Sequence, residues 1–165
     1  MGYTHYWYKI PTLTCWDFKQ FLNDFKKVLD DNPGLESIIT DYDKTLESSL
    51  YFNGIGKNAH ETFFFEKKVD TDEGFIQKRK DKIFSFCKTA RKPYDVVVCI
   101  ALIIAKKRFT TDIIVSSDGS DEPDMWQDAR QTCQNTLGYG QRFDFKPNGD
   151  AVFRRKRVEE MTIEL

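Results

Sequence analysis

The sequence predicts an α+β fold, a single domain over residues 1–165 with a mixed central sheet packed by about three helices. Three observations carry this reading. Segments with strand period and segments with helix period follow one another along the chain. Strong turn signals separate them: Asn32-Pro33-Gly34, Gly54-Ile55-Gly56 and Pro147-Asn148-Gly149. No repeat or low-complexity linker marks a second unit, and 165 residues suffice for one core.

The first element is a strand over residues 2–10. Tyr3, His5 and Trp7 fall on one face and Tyr6 and Tyr8 on the other, and Pro11 ends it. Thr14 followed by Asp17 is a capping-box-like start. Phe18, Phe21, Leu22, Phe25, Val28 and Leu29 then repeat at helical spacing until Asn32-Pro33-Gly34. Residues 37–49 carry no clear period. Short strands at 50–53 and 62–65 flank the Gly54-Ile55-Gly56 turn, and 70–82 is a charged connection.

Residues 83–88 alternate as a strand. Residues 94–108 read as a helix that is apolar nearly all round. Pro93 and Asp95 favour its start and Lys106-Lys107-Arg108 its end, although Val96-Val97-Val98 alone would also suit a buried strand. A buried strand follows over 112–116. Trp126, Ala129, Cys133 and Leu137 mark a last amphipathic helix stopped by Gly138. Phe143 to Phe145 and Ala151 to Arg154 pair as a hairpin across Pro147-Asn148-Gly149.

Composition bounds the function. Hydrophobic content of 40% with 31% charged residues describes a globular chain. The formal net charge of −1 argues against a broad DNA or RNA coat, so any anion site is local. Fourteen Phe, seven Tyr and three Trp form core, and such rings also stack on nucleobases. Cys15, Cys87, Cys99 and Cys133 are dispersed without a C-x-x-C pair, which suits buried thiols in a cytoplasmic protein. Residues 1–10 do not resemble a signal peptide, and the ten-residue run 96–105 is too short for a membrane span.

The densest chemical signal is Lys88-Thr89-Ala90-Arg91-Lys92-Pro93-Tyr94-Asp95, at a strand end and a helix start. A helix start presents unpaired N–H groups and the positive dipole end, a setting suited to phosphate. Lys88, Arg91 and Lys92 would contact phosphate oxygens and Thr89 would donate its hydroxyl. Tyr94 would stack on a ring, and Asp95 would cap the helix or take a ribose hydroxyl. Solvated loop cations and a simple helix cap are the ordinary alternative.

Tyr3, His5 and Trp7 would line a pocket for a planar group, or pack in the core. Asn53, His60 and Glu61 border a glycine turn where backbone can approach a ligand, with His60 and Glu61 as an acid–base pair; a polar surface hairpin is the competing reading. Asp118, Asp121, Glu122 and Asp124 follow a buried strand, but helix capping explains them better than Mg²⁺ or Ca²⁺. No catalytic residue, metal or cofactor is assigned.

Residues 38–46, I-I-T-D-Y-D-K-T-L, resemble the first motif of haloacid-dehalogenase-type phosphatases, with Asp41 and Asp43 as its two acids and Ser116 in the second motif. The context disagrees. Only two strongly apolar residues precede Asp41, a strand follows in place of a helix, and too little chain remains after Ser116.

Met1-Gly2-Tyr3-Thr4-His5-Tyr6-Trp7, Glu61-Thr62-Phe63, residues 86–95 and Ser116-Ser117-Asp118-Gly119 together resemble a family of small, largely uncharacterised proteins of bacteria and their phages. The resemblance spans most of the chain and implies no settled activity. By analogy with phage proteins that sequester host nucleotide immune signals, it makes a phosphate-bearing, nucleotide-like small molecule the expected ligand. Pockets of that kind commonly form between subunits, so a homo-oligomer is one expectation, in the host cytoplasm if a phage encodes it. The alternatives are a nucleotide or phosphoester hydrolase and a protein-interaction inhibitor of a host factor.

Overall fold

A computed structural model describes residues 3–70, 78–79, 81–119 and 124–155. Nine strands are assigned: β1 (Thr4–Lys9), β2 (Ile39–Thr40), β3 (Ser49–Gly54), β4 (Phe63–Glu66), β5 (Lys78–Arg79), β6 (Lys82–Lys88), β7 (Ile113–Ser117), β8 (Phe143–Phe145) and β9 (Ala151–Phe153). Helices are α1 (Cys15–Asp31), the one-turn α2 (Pro33–Glu36), α3 (Asp95–Phe109) and α4 (Asp124–Leu137). The α+β class holds. The strands form a four-stranded sheet in the order β5-β6-β1-β7, a three-stranded sheet β2-β3-β4 and the hairpin β8-β9.

Every described pairing is antiparallel, where the sequence suggested a mixed sheet. The reason is connectivity. The chain enters and leaves β1's neighbours from opposite ends, with Tyr6 opposite both Phe86 of β6 and Ser116 of β7.

Thr14 caps α1 as its sequence position implies, its hydroxyl accepting from the Asp17 N–H at 3.1 Å. The buried face of α1 carries Phe18, Phe21, Phe25, Val28 and Leu29. Pro33 ends α1 but also opens α2, the position where a missing N–H costs least. Gly138, at φ +81°, stops α4 in the left-handed region that favours glycine. Helix α3 is buried on every side from Val97 to Ala105, which explains its lack of amphipathic period. It packs against α1, α4 and β7, and Lys106 donates from its last turn to the Thr110 and Ile113 carbonyls.

The β1 face bearing Tyr3, His5 and Trp7 turns toward this helical layer. Trp7 meets Phe63 and Phe65 at ring-centroid distances of 5.2 and 5.9 Å. Phe65 continues to Phe21 and Phe109 at 5.0 and 5.7 Å, so one aromatic cluster joins both larger sheets to α1 and α3. Fully burying each ring contributes about 1.5–3 kcal/mol. Lys9, on the same strand face, is also fully buried; its ammonium lies 3.5 Å from Glu66 Oε1 and over the Phe65 ring.

Among the described residues no helix is long and apolar enough to cross a membrane. All four cysteines are free, Cys15 exposed and the others buried. Asp121 and Glu122 of the acidic loop, and most of the charged connection after Asp70, lie outside the described residues.

Candidate functional site

Between β6 and α3 the chain must reverse within six residues. The Thr89 and Ala90 N–H groups both donate to the Tyr3 carbonyl, at 3.1 and 3.2 Å, which anchors the turn to the start of β1. Lys92 N–H then donates to Thr89 O and Asp95 N–H to Lys92 O. Ala90 and Arg91 take φ of +52° and +59°, both left-handed and neither glycine. That conformation costs roughly 1–2 kcal/mol per residue. The reversal lays the exposed Arg91 across Tyr3, with the guanidinium carbon 4.3 Å from the ring centroid. Lys88 and Lys92, both half-buried, flank it.

Beneath this rim lies a hydrogen-bonded network built from β1, β7, the turn and α3. His5 Nε2 and Asp95 Oδ1 are 2.6 Å apart, and both residues are fully buried. Thr89 Oγ1 also donates to Asp95 Oδ1, and the Cys99 thiol, one helical turn along α3, donates to Asp95 Oδ2 at 3.7 Å. The other His5 nitrogen, Nδ1, lies 2.8 Å from Ser117 Oγ, which accepts from the Gly119 N–H at 3.0 Å. Donors therefore converge on the Asp95 carboxyl from three elements. Burial, with Asp95 beside it, pushes the Cys99 thiol well up, so it stays protonated. Burial also raises the Tyr3 phenol, helped by Asp95 and Cys99 and opposed by Ser117 and Arg91.

The end of β1 is closed by a second set of bonds. Asp118 accepts from the Thr4 N–H at 3.1 Å and from the Tyr6 hydroxyl at 2.9 Å, while its own N–H donates to Thr4 O. Gly119 has no alternative: a Cβ there would stand 1.8 Å from the Tyr3 hydroxyl oxygen.

Asn53, His60 and Glu61 gather beside Lys88. The Asn53 amide donates to His60 O and accepts from the His60 and Gly54 N–H groups. His60 Nδ1 lies 2.8 Å from Lys88 O, and Glu61 Oε2 accepts from the Lys88 N–H at 2.7 Å. The Tyr94 hydroxyl donates to Glu61 O at 2.6 Å.

The structure thus brings eleven of the twelve predicted residues around one strand–turn–helix junction, but it assigns them differently. Lys88, Arg91 and Lys92 form a surface rim. Thr89, Tyr94 and Asp95 turn inward and are fully buried, so they do not meet a ligand at this rim; Thr89 and Tyr94 are needed there to satisfy a buried carboxyl and a loop carbonyl. Tyr3 and His5 are also interior, and Trp7, the twelfth, belongs to the aromatic core. His60 and Glu61 hold the loop onto β6 and do not face each other as an acid–base pair. Asp41 and Asp43 lie away from the junction; Asp43 accepts from Thr45, and that bond holds its carboxyl below the usual range.

Sequence reasoning missed Ser117 and Cys99 as members of the network. Ser117 belongs to a quoted motif, yet strand parity puts it on the His5 side only once β1 and β7 are known to pair. Cys99 lies four residues after Asp95 on α3, a spacing that shares a face.

His5, Asp95 and Cys99 place one donor atom each within 4.8 Å of the others, the described trio best arranged for a metal. Two ligands of one tetrahedral zinc stand about 3.3 Å apart for bonds of about 2.0 Å. The 2.6 Å separation of His5 and Asp95 is that of a hydrogen bond, so the trio forms a proton-sharing network. Two larger recesses lie elsewhere. One of about 450 Å³ between α1 and residues 42–49 mixes Lys19, Lys26 and Lys67 with Asp43 and Glu47. Another of about 600 Å³ is lined by Arg130, Arg142, Arg154 and Asp144. Neither includes the junction. No protein-family model matches this chain, and neither curated proteins nor solved structures include one significantly similar to it.

Proposed function

We propose that the protein binds a small phosphate-bearing, nucleotide-like ligand at the rim of Lys88, Arg91 and Lys92. One observation carries this reading. Two consecutive non-glycine residues adopt left-handed backbone, and the outcome of that strain is an arginine fixed over a tyrosine ring between two lysines. Backbone strain of this kind persists where surrounding structure over-determines it, commonly at ligand clamps. An arginine pre-oriented by stacking loses less freedom when it engages a phosphate. The network below supports the rim, since Asp95 ties α3 to Thr89 and β1. The most specific form of the proposal is a phage-encoded sponge that retains a host nucleotide signal without cleaving it.

Calorimetry with mono-, di- and cyclic nucleotides tests this. Binding weakened at least tenfold by Arg91→Ala is expected; binding that ignores Arg91→Ala, or none across the panel, would end the proposal.

A second reading has one observation of its own. Ser117 Oγ, His5 and Asp95 form a hydrogen-bonded chain, the order in which a hydroxyl nucleophile is activated, although His5 uses Nδ1 for the serine and Nε2 for the acid. Recovery of intact ligand after incubation supports retention. Turnover abolished by Ser117→Ala supports a hydrolase.

A further inference from the structure

The turned-in aromatic face of β1 leaves the opposite face of the central sheet as the accessible one. Strand alternation puts Tyr6 and Tyr8 of β1 and Phe84 and Phe86 of β6 together there, with Tyr6 directly opposite Phe86 and Tyr8 opposite Phe84. Their rings form a continuous floor. Phe84 lies 5.8 Å from Phe86, 6.1 Å from Tyr6 and 5.1 Å from Tyr8 by ring centroid. Phe86 is 52% exposed, a large apolar exposure on a central strand. Tyr6 is fixed by its hydroxyl bond to Asp118, and the Arg79 guanidinium lies over Tyr8.

The charges beside this floor are unequal at its two ends. Lys88 follows Phe86 by two residues on the same face of β6 and leads into Arg91 and Lys92, against Asp118. At the far end Arg79 and Lys82 are paired with Asp150 and Asp81. An occupant should therefore offer flat, sequence-tolerant ring surfaces and anionic groups concentrated toward Lys88. A protein segment or a second copy of this chain has no reason to carry that polarity. A single-stranded nucleic acid does, since bases stack on exposed sheet aromatics while phosphates meet flanking cations.

From this face we infer that the ligand is a short single-stranded oligonucleotide, two or three of whose bases lie over Phe86, Tyr6 and Phe84 while its phosphates reach the Lys88–Arg91–Lys92 rim. The inference deepens the binding proposal and rests on the same rim; it moves base recognition from the buried face of β1 to the outer one. It also narrows the sequence expectation, because a local platform needs no broad basic surface.

Fluorescence anisotropy with labelled eight-nucleotide RNA and DNA at low salt tests it. Phe86→Ala should weaken binding about 5- to 150-fold, the range for losing one base stack. Phe86→Trp should restore it, and circular dichroism should show both variants folded. Nucleotide binding that remains sensitive to Arg91→Ala, with no oligonucleotide binding or with oligonucleotide binding indifferent to Phe86→Ala, overturns this inference and leaves the rim intact. Loss of both kinds of binding overturns both. Self-association in sedimentation velocity that Phe86→Glu abolishes, without oligonucleotide binding, makes a second copy the occupant and also overturns it.

Discussion

Replacing Asp95 by alanine removes the acceptor on which the buried network converges. His5 Nε2, Thr89 Oγ1 and the Cys99 thiol all meet its carboxyl, and His5, Thr89 and Asp95 are fully buried. Each buried polar group left without a partner costs about 1–3 kcal/mol, the thiol least. Allowing for relaxation, Asp95→Ala should lose about 3–5 kcal/mol, the range for breaking a buried pair. That is a large part of a total stability of about 5–15 kcal/mol. For a chain of this size it lowers Tm by about 6–20 °C. Equilibrium denaturation in urea, followed by tryptophan fluorescence, should show a lower midpoint at unchanged slope. Asp95→Asn keeps one acceptor oxygen but sets an amide N–H₂ against donors, so an intermediate loss of about 1–3 kcal/mol is expected. Combining Asp95→Ala with His5→Ala should cost less than the sum of the two by about 0.5–3 kcal/mol, because each leaves the same bond unmade. A loss below about 1 kcal/mol for Asp95→Ala would refute the idea that this network holds the turn.

Lys9→Met should be neutral or stabilising by about 1–4 kcal/mol in thermal or urea melts, since it replaces a buried ammonium with an apolar chain of similar length. Burial outweighs Glu66 in holding the Lys9 amine below its ordinary 10.5, so between the lowered value and 10.5 the unfolded chain binds more protons; stability should rise with pH across that window in the parent and lose this contribution in Lys9→Met. Thiol titration of the native protein should give one fast equivalent, Cys15, and three more only on unfolding, because burial pushes the Cys87 and Cys133 thiols up to about 12 and the Cys99 thiol well up. Three or four fast equivalents would contradict the packing of β6, α3 and α4. Gly54→Ala places a Cβ 2.2 Å from the Asn58 carbonyl oxygen and 2.9 Å from the Tyr94 ring, and should cost about 1–3 kcal/mol by denaturation; an unchanged midpoint would mean the 54–61 loop does not pack against Tyr94 as described.

Much of the fold was legible because its local signals agree with its packing. The Phe18-to-Leu29 spacing, the Thr14 cap, the Gly138 stop and the hairpin across Pro147-Asn148-Gly149 each name their element through backbone sterics or side-chain period, and each forms. The junction was legible for a related reason, since cations and a proline between a strand and an apolar helix mark a reversal wherever the rest of the chain goes. Alternation also showed that β1 has two aromatic faces. Alternation is symmetric, however, and says nothing about which face meets the helices.

That choice came from tertiary contacts: the fit of Trp7 against Phe63 and Phe65, and of His5 between Asp95 and Ser117, two residues 22 positions apart on separate elements. It reversed the expected roles of Tyr3, His5, Trp7, Tyr94, Thr89 and Asp95, and it put Tyr6, Phe84 and Phe86 outside. Residue types and their spacing determine what each segment can become, because those are short-range properties of the chain. Which groups are desolvated and which stay wet depends on what covers them, and only long-range packing decides that.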